Sequence, residues 1–487
     1  MFRKKIIQML GMVLTAAMLV TGCSVAKSQG KKEDSKSYIT DVINNYDGVG
    51  ASVALIEDGK ISEVRNYGHS DKENGQKVEN QTRFRIASIS KSVTAYTVMQ
   101  LVDKHVLDLD VPVNQYLTSF KLKDKKYDAN KITLRMLLSH TAGVAGKMEP
   151  IYQGEKPDVA TVLKQLNVHL LFEPGSKFSY SEVIGMGICQ LVVEEVTNTK
   201  YEEYVEKNVF EKLGMYHTDF SDTNDTSENK KGKIATPYAG TNKPVAIERS
   251  VLTGGGGVTT TSSDLARFAI ELMKYKNTTD SEMFVEQKNT QADGNSYCLG
   301  IIPRKLKDGR VIYEHNGTLT GWNAQMVLDP TSQKGMVMTT NSDTSFYMVY
   351  EMMEKWSENE LGERVADASI RSLKETFRTM SLIMGIITLL VIVAVSFVLY
   401  RNKMVIRPHG NRIAISLIFV GILSAGIYIV LYTPVLTKAL WGMNDFYLFT
   451  FLPKGYQSIL VEIYCILLAV FTRYCLLKKA EKKEEKQ

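Results

Sequence analysis

Three long apolar runs near the carboxyl end of the chain constrain its fold more than any other feature. Each is about the 20 residues that an α-helix needs to cross the hydrocarbon core of a bilayer. Runs of this length are typical of membrane helices and not of a soluble core. The sequence therefore predicts transmembrane helices at residues 379–400, 413–432 and 457–477.

Basic residues between and after these runs indicate the orientation of the membrane segments. Arginine and lysine fill the short loop at residues 401–412, and the tail at residues 478–487 is rich in lysine. Because cytoplasmic loops carry an excess of Lys and Arg, we expect both segments on the cytoplasmic side. The large region before the first helix then lies outside the cytoplasm, joined to the membrane by a connector at residues 361–378.

The amino end has the layout of a secretory signal peptide at residues 1–22, with a basic start, an apolar run and small residues. Residues 20–23, Val-Thr-Gly-Cys, resemble a bacterial lipobox, which would make Cys23 a lipidated amino terminus. The alternative is an uncleaved signal anchor in which Cys23 has no role. Residues 24–40, rich in Lys, Ser, Gly and Asp, are expected to form a flexible tether.

Charge and cysteine content narrow the classes of partner. A formal net charge of +6 over 487 residues is too small for a nucleic-acid-binding surface, and much of the excess lies in the amino end, the basic loop and the tail. Apart from Cys23, the predicted exported region contains Cys189 and Cys298, and neither lies in a motif with metal-ligand spacing. We expect two buried free thiols and no metal site.

The exported region, residues 41–360, mixes strand and helix patterns. Apolar runs at 51–57 and 60–67 flank Asp58-Gly59, a strong hairpin signal. Helices are predicted at residues 88–107, 181–196, 201–213 and 264–274, and strands at residues 297–302, 311–314, 323–328 and 335–340. A first strand pair, a helical middle and a run of closing strands predict one antiparallel sheet assembled from both ends of the domain.

Ser88 and Lys91 stand one helical turn apart at the start of the first predicted helix. Apolar residues at 95, 98, 99, 102 and 106 recur at helical spacing, so Ser88 should lie at the amino end of a core-facing helix. A serine hydroxyl is a poor nucleophile until a neighbour takes its proton, and Lys91 projects onto the same face. The spacing by itself is common, so a catalytic interpretation depends on further motifs.

Two such motifs follow later in the chain. Residues 179–182, Ser-Tyr-Ser-Glu, place the phenol of Tyr180 on a loop that runs into a helix, and a nearby positive charge favours the phenolate needed for proton transfer. Residues 315–318, His-Asn-Gly-Thr, end a strand, where glycine allows a substrate backbone to approach and His315 offers a donor or a cation.

Two other segments, at 139–143 and 254–258, separate these motifs. His140 would be the base of a rival Ser-His mechanism, but no G-x-S-x-G sequence occurs, so we interpret its segment as a structural turn. The glycine run at 254–257 is bounded by apolar residues, which disfavours a simple linker.

Taken in order, these motifs resemble the serine β-lactamase-related family, which includes class C β-lactamases, D,D-peptidases, D-aminopeptidases and related esterases. The resemblance covers roughly residues 41–360 and omits the membrane helices. It is carried by residues 84–91, 137–143, 174–181, 254–264 and 315–321. It implies an α/β (α+β) sandwich of the β-lactamase/transpeptidase type, with an antiparallel sheet flanked by helices, an all-helical subdomain, and the site between them.

The resemblance also implies catalytic roles. Ser88 would be the acylated nucleophile, Lys91 its activating partner, and Tyr180 the shuttle that carries the proton to the leaving group. The backbone N–H groups of Ser88 and Thr318 would form the oxyanion hole, each worth about 100- to 1000-fold in rate. No metal or organic cofactor is implied.

The substrate-binding positions depart from the family pattern. His315, next to Gly317 in the site, stands where many relatives have lysine, and Glu182 stands where most have asparagine. A carboxylate about 4 Å from Lys91 would favour its charged form by about 4 kcal/mol at an effective dielectric near 20. That value cancels the roughly 4 kcal/mol needed to make a lysine neutral near pH 7. We expect Lys91 to stay cationic and Tyr180 to be the base, unless Glu182 is protonated, turned outward or paired with His315.

Two functional classes remain. One is a membrane-anchored extracytoplasmic serine hydrolase acting on D-amino-acid peptides, amides, esters or β-lactams, with a small molecule or a peptidoglycan peptide as its substrate. The other is a slowly deacylating penicillin-binding or sensory protein that holds a cell-wall ligand on Ser88 and communicates with a membrane partner. Both place the protein in a bacterial cell membrane and neither involves nucleic acid.

Overall fold

The computed structural model describes residues 37–152, 154–181, 183–222, 231–292, 294–401, 404–406, 410–437, 447–453, 456–471 and 477–479. The chain divides into two compact units, of which the first contains residues 34–369 and 437–450, and the second contains residues 370–436 and 451–487. The predicted signal peptide and Cys23 lie outside the described residues.

Strands and short or long helices alternate along the described chain. The strands are β1 (Gly50–Glu57), β2 (Lys60–Asp71), β3 (Gln76–Lys77), β4 (Phe84–Arg85), β5 (Val144–Ala145), β6 (His169–Leu170), β7 (Tyr238–Ala239), β8 (Lys243–Pro244), β9 (Thr259–Thr260), β10 (Ile302–Lys305), β11 (Val311–Leu319), β12 (Trp322–Asp329), β13 (Lys334–Thr340), β14 (Met404–Ile406) and β15 (Leu477–Lys479). The α-helices are α1 (Ser37–Asn44), α2 (Ser90–Asp103), α3 (Val113–Tyr116), α4 (Leu134–Leu138), α5 (Val159–Gln165), α6 (Ile184–Thr197), α7 (Tyr201–Val205), α8 (Ser262–Thr278), α9 (Phe346–Leu361), α10 (Ala368–Arg401), α11 (Gly410–Tyr432) and α12 (Tyr456–Phe471).

The predicted hairpin is confirmed. Strands β1 and β2 pair antiparallel around Asp58 and Gly59, whose φ angles are 51° and 68°. A two-residue turn of this kind needs positive φ at both central positions, which glycine adopts without steric cost. Helix α1 precedes the hairpin and buries Tyr38 and Ile39, so the segment expected to be a tether already has structure by Ser37.

The core of the first unit is a seven-stranded sheet in the order β10-β11-β12-β13-β1-β2-β3. Strand β1 pairs antiparallel with β13, where Val53 lies opposite Met338, and the closing strands β10 to β13 pair antiparallel in sequence. Strands from both ends of the domain therefore meet in one sheet, as the sequence predicted.

The strand predicted at residues 297–302 is wrong. Strand β10 begins only at Ile302, and residues 297–301 form no strand. Gly300 has φ +68°, and a Cβ there would lie 2.5 Å from Cβ of Ala95 on α2. Close packing against a helix removes this segment from the sheet, and an apolar run does not reveal such packing. Strand β11, predicted at 311–314, instead continues to Leu319.

The predicted helices are present with shifted ends. The helix predicted from Ser88 starts as a 3₁₀ turn, Ala87–Ile89, that leads into α2. Helix α8 is longer than predicted because the side chain of Thr261 accepts a hydrogen bond from Asp264 N and caps the first turn. Helix α9 was not predicted at all.

Helices cover both faces of the sheet. Every residue of β12 is buried, although alternate residues of a strand point to opposite faces. Helix α8 packs on β1, β12 and β13, whereas α9 packs on β12 and β13 and on α1. Helices α3 to α7 lie between β4 and β9 in the chain. The expected antiparallel sheet flanked by helices, with a helical subdomain, is confirmed.

The second unit contains two helices long and apolar enough to cross a membrane, at residues 368–395 and 410–432. The sequence predicted three. Helix α12 has 16 described residues, which span about 24 Å at 1.5 Å per residue and fall short of a bilayer core of about 30 Å. The prediction of a third spanning helix at 457–477 is therefore not supported. Helix α10 also begins before the predicted span, so the connector is partly helical.

Truncating a large side chain on α9 tests its contribution to the core. Trp356 is 1% exposed, and Trp356→Ala should lower the free energy of unfolding by about 3–5 kcal/mol because it leaves a cavity. Urea unfolding of the full-length protein in detergent measures the change. Tyr216, 68% exposed, provides the control, since Tyr216→Ala should leave the midpoint nearly unchanged. Equal midpoints for the two variants would contradict the described packing of α9.

Candidate active site

Ser88 lies in the 3₁₀ turn Ala87–Ile89 and is half-buried. The preceding Ala87 has φ +47°, a left-handed conformation that costs free energy for a residue with a Cβ. Two neighbouring contacts hold it there: β4 pairs with β9, and Ile86 N donates to Val258 O at 3.0 Å. The turn therefore presents Ser88 at the head of α2, as the sequence indicated.

Lys91 is the buried charged group beside Ser88. Its side chain projects from the first turn of α2, the residue is 1% exposed, and Nζ donates to Ser88 Oγ at 2.9 Å and to Gly255 O at 2.8 Å. A carbonyl oxygen only accepts, so Lys91 must direct one N–H at Gly255. A second N–H is directed at Ser88 Oγ.

The glycine run at 254–257 packs beside Lys91, and its Gly255 carbonyl accepts the Lys91 hydrogen bond. Gly254 N donates to Gln190 Oε1 at 3.0 Å, and Gly254 O accepts from Thr94 Oγ1 at 2.7 Å. A Cβ on Gly255 would lie 2.7 Å from Cα of Val183, which excludes a larger residue without a shift of backbone. These glycines are close-packed structure and not a linker.

Tyr180 completes a group of three with Ser88 and Lys91. Nζ of Lys91 lies 4.9 Å from the centre of the Tyr180 ring, and Tyr180 is 39% exposed. A cation at this distance from the ring lowers the energy of a phenolate. The structure thus brings together the three side chains named from the sequence. Their roles stay predictions.

His315 is buried and electrically neutral. It is 2% exposed, its Nε2 is 2.7 Å from Tyr297 Oη, and its Nδ1 is 2.6 Å from Asn316 O. Burial, with a smaller contribution from Lys91, lowers the pKa of His315 to about 3. Of the two roles expected for His315, a donor or a cation, this low pKa disfavours the cation, because removal from water disfavours the imidazolium.

Tyr297 is the residue that sequence reasoning missed. Burial raises its pKa well above the ordinary value, so it stays a phenol and donates to His315 Nε2. His315 must then carry its own proton on Nδ1, which donates to Asn316 O. The only signal was an aromatic residue in a segment assigned to a strand, which does not distinguish it from core.

The end of β11 lies against the turn that carries Ser88. A Cβ on Gly317 would lie 2.1 Å from Ile86 O, so glycine is required for this approach. Strand β10 pairs with β11 only as far as Glu314, which leaves the edge from residue 315 onward unpaired by β10. The side chain of Thr318 donates to Asn323 on β12. Its N–H remains a predicted oxyanion donor together with that of Ser88.

The other sequence predictions have mixed outcomes. Glu182 lies outside the described residues. Cys189 and Cys298 are buried free thiols, as expected, and burial raises both pKa values. Within the described ranges, no group of three or more His, Cys, Asp or Glu side chains is arranged to hold a metal ion.

His140 lies close to Tyr180 and Tyr297, within the turn that the sequence predicted. Its ring centre is 4.3 Å from that of Tyr180 and 5.0 Å from that of Tyr297. Burial, Lys91 and His315 lower its pKa well below the ordinary value, so the ring is neutral. The predicted turn is present, since His140 has φ +59°.

The geometry agrees with comparisons to known proteins. The chain matches the beta-lactamase family over residues 36–354. It belongs to that family. Protein flp from Staphylococcus aureus strain N315 is 23% identical over 440 residues, covering 87% of this chain and 85% of that protein.

Solved structures of this family's fold are similar at low sequence identity. The octameric penicillin-binding protein homologue from Pyrococcus abyssi has a TM-score of 0.57 at 21% identity, covering 68% of this chain and 77% of that one. A D-stereospecific amidohydrolase from Streptomyces sp. has a TM-score of 0.55 at 20% identity, covering 67% and 98%. The fold is therefore that of the β-lactamase/transpeptidase-like proteins.

The two neutral histidines make stability depend on pH. Below an unfolded pKa of about 6.5, the unfolded chain binds protons that native His140 and His315 do not. The free energy of unfolding should therefore fall as pH drops from about 6.5 towards the native pKa values. For His315 that limit is about 3.

Urea midpoints at about pH 7.5 and pH 5.5 test this linkage, with His140→Asn as the matched variant. Wild type should lose more stability on acidification than the variant, which lacks one of the two groups. Burial raises the pKa of Glu194 to about 7, so this carboxyl group stabilises the fold as the pH falls. Wild type and the variant both contain Glu194, so its effect cancels when their losses of stability are compared. An equal loss in both proteins would mean that His140 is protonated in the native state.

Proposed function

We propose that this protein is a serine hydrolase that forms an acyl-enzyme on Ser88. The observation that carries the proposal is the buried Lys91 Nζ, which lies between Ser88 Oγ at 2.9 Å and Gly255 O at 2.8 Å, with the Tyr180 ring at 4.9 Å. We take Lys91 as an ammonium whose N–H groups donate to the Gly255 carbonyl oxygen and to Ser88 Oγ. A fixed cation beside a serine and a phenol supports proton transfer from one to the other.

Acylation follows from these positions. The Tyr180 phenolate takes the proton of Ser88 Oγ as the oxygen attacks the substrate carbonyl carbon, and the carbonyl electrons move to the oxygen. The N–H groups of Ser88 and Thr318 stabilise this oxyanion. The carbonyl re-forms as the bond to the leaving group breaks, and Tyr180 returns its proton to that group. Lys91 stays cationic throughout, and its charge stabilises the phenolate form of Tyr180.

Deacylation reverses the same proton path. Water replaces the leaving group, Tyr180 takes a proton from it as it attacks the acyl carbon, and the proton passes to Ser88 Oγ as the acyl bond breaks. Substrate classes are D-amino-acid peptides, amides, esters or β-lactams. The amidohydrolase likeness supports the D-amino-acid class. Neutral His315 supplies no charge for a substrate carboxylate, which favours uncharged esters and amides over substrates held by such a group.

Activity-based labelling of the full-length protein tests the nucleophile. A fluorescent fluorophosphonate should label wild type and not Ser88→Ala. Exposed Ser119 provides the control variant Ser119→Ala, which should label as wild type.

Tyr180→Phe should lower turnover of a chromogenic ester by about 100- to 10,000-fold, the range for general acid–base groups.

The kinetics decide between a hydrolase and a stable acyl-binder. Steady-state release of product from esters, D-amino-acid amides or a chromogenic β-lactam supports turnover. A stoichiometric burst that stops would support the slowly deacylating alternative. Undiminished labelling of Ser88→Ala would refute Ser88 as nucleophile in either case.

The location belongs to the same proposal. An extracytoplasmic domain, a signal peptide with Cys23 as a lipidation site, and spanning helices α10 and α11 together describe a bacterial membrane protein. Alkaline phosphatase is active only when exported. Fusions at residue 365 and within residues 438–446 should be active, and a fusion within the basic loop at 402–409 should be inactive. An active fusion in that loop would reverse the orientation.

A further inference from the structure

His140 contacts the backbone on both sides of Tyr180. Ser179 N donates to His140 O at 2.9 Å, and Ser181 N donates to His140 Nδ1 at 3.2 Å. The hydroxyl of Ser181 is also 3.0 Å from Nδ1. The backbone N–H groups of the residues before and after Tyr180 are therefore both bound to one residue on a different segment of the chain.

The imidazole ring also packs on the Tyr180 side chain. The ring centres are 4.3 Å apart with an interplanar angle of 37°. Tyr180 is 39% exposed, and this packing restrains the side of its ring that faces His140. Three contacts from His140 thus restrain the backbone before Tyr180, the backbone after it and the phenol ring itself.

These contacts require one protonation state. Nδ1 accepts from a backbone N–H, so it carries no proton, and the proton of the neutral ring lies on Nε2. Burial and the cation of Lys91 keep the pKa of His140 low. A proton on Nδ1 would point at the Ser181 N–H and remove the contact after Tyr180.

Two features of His140 lower the stability of the fold, and packing alone does not explain them. His140 Nε2 is buried without a hydrogen-bond partner in the described part of the chain, and φ is +59°. Both features destabilise the fold relative to a satisfied residue with ordinary backbone. An apolar side chain would fill the space, but it would offer no acceptor to Ser181.

We propose that His140 is a positioning residue for Tyr180, holding the phenol beside Lys91 through the Nδ1 acceptor and the stacked ring. This inference rests on the proposed function, because it assumes that Tyr180 transfers the proton of Ser88. His140 itself does not touch the reacting atoms. Its removal should therefore slow acylation without weakening substrate binding.

Two variants of opposite character test the role on the full-length enzyme. His140→Leu removes the acceptor, and it should lower kcat by about 10- to 100-fold with KM little changed, as expected of a displaced catalytic group. His140→Asn keeps an acceptor near Nδ1 and suits a left-handed backbone, so kcat should stay within about threefold of wild type. The rate of fluorophosphonate labelling should change in parallel.

His105 provides the matched control. It also has a positive φ, 56°, but it is exposed and follows the carboxyl end of α2, whereas Lys91 lies in the first turn of that helix. His105→Leu should leave kcat unchanged, which separates the acceptor from a general effect of leucine in left-handed backbone. If His140→Leu does not fold, His140→Gly replaces it, because glycine adopts this backbone freely and also lacks the acceptor.

The outcomes separate this inference from the proposed function. Wild-type turnover or labelling that disappears in Ser88→Ala supports the proposed function whatever His140 does. Equal kcat for His140→Leu and wild type, or equal losses in the leucine and asparagine variants, would overturn the positioning role. Absence of any labelling of wild type would overturn the proposed function itself.

Discussion

The contact of a buried lysine with both a serine hydroxyl and a backbone carbonyl is the interaction on which the rest of the site depends. Lys91 Nζ is held between Ser88 and Gly255, and its charge reaches Tyr180, His140 and His315. Burying a charge is costly unless its hydrogen bonds are satisfied. Gly255 and Ser88 supply hydrogen-bond partners for Lys91 Nζ, and the two histidines near it are neutral.

Two glycines allow backbone segments around the site to approach each other closely. Gly255 packs against Val183 and Gly317 against Ile86, and in both cases a Cβ would overlap backbone atoms. These approaches bring the helical subdomain and the sheet to the two sides of one serine. In the described part of the site, the Lys91 side chain lies among the neutral imidazoles of His140 and His315 and the phenols of Tyr180 and Tyr297. Such a site suits proton transfer more than recognition of a charged substrate.

Local pattern predicted the five longest strands and most of the long helices, because hydrophobic periodicity and turn residues act within a few residues of each other. The β1–β2 hairpin and the helix after Ser88 follow from such signals. The strand proposed at 297–302 failed because packing of Gly300 on α2, far away in the sequence, overrode an apolar run. The sequence left the charge of His315 open for a related reason, since its burial and its hydrogen bond to Tyr297 depend on residues that are not its neighbours in the chain.

The sequence by itself determined the family motifs, the serine, lysine and tyrosine of the candidate site, and the division into a large amino-terminal domain and apolar carboxyl-terminal helices. Each of these depends on spacing along the chain or on composition. Only the tertiary structure decided that Tyr297 fixes the tautomer of His315, that His140 brackets Tyr180, and that α12 is short of a full span in its described residues. Hydrogen-bond partners and burial depend on residues that are distant in sequence, and proton positions follow from both.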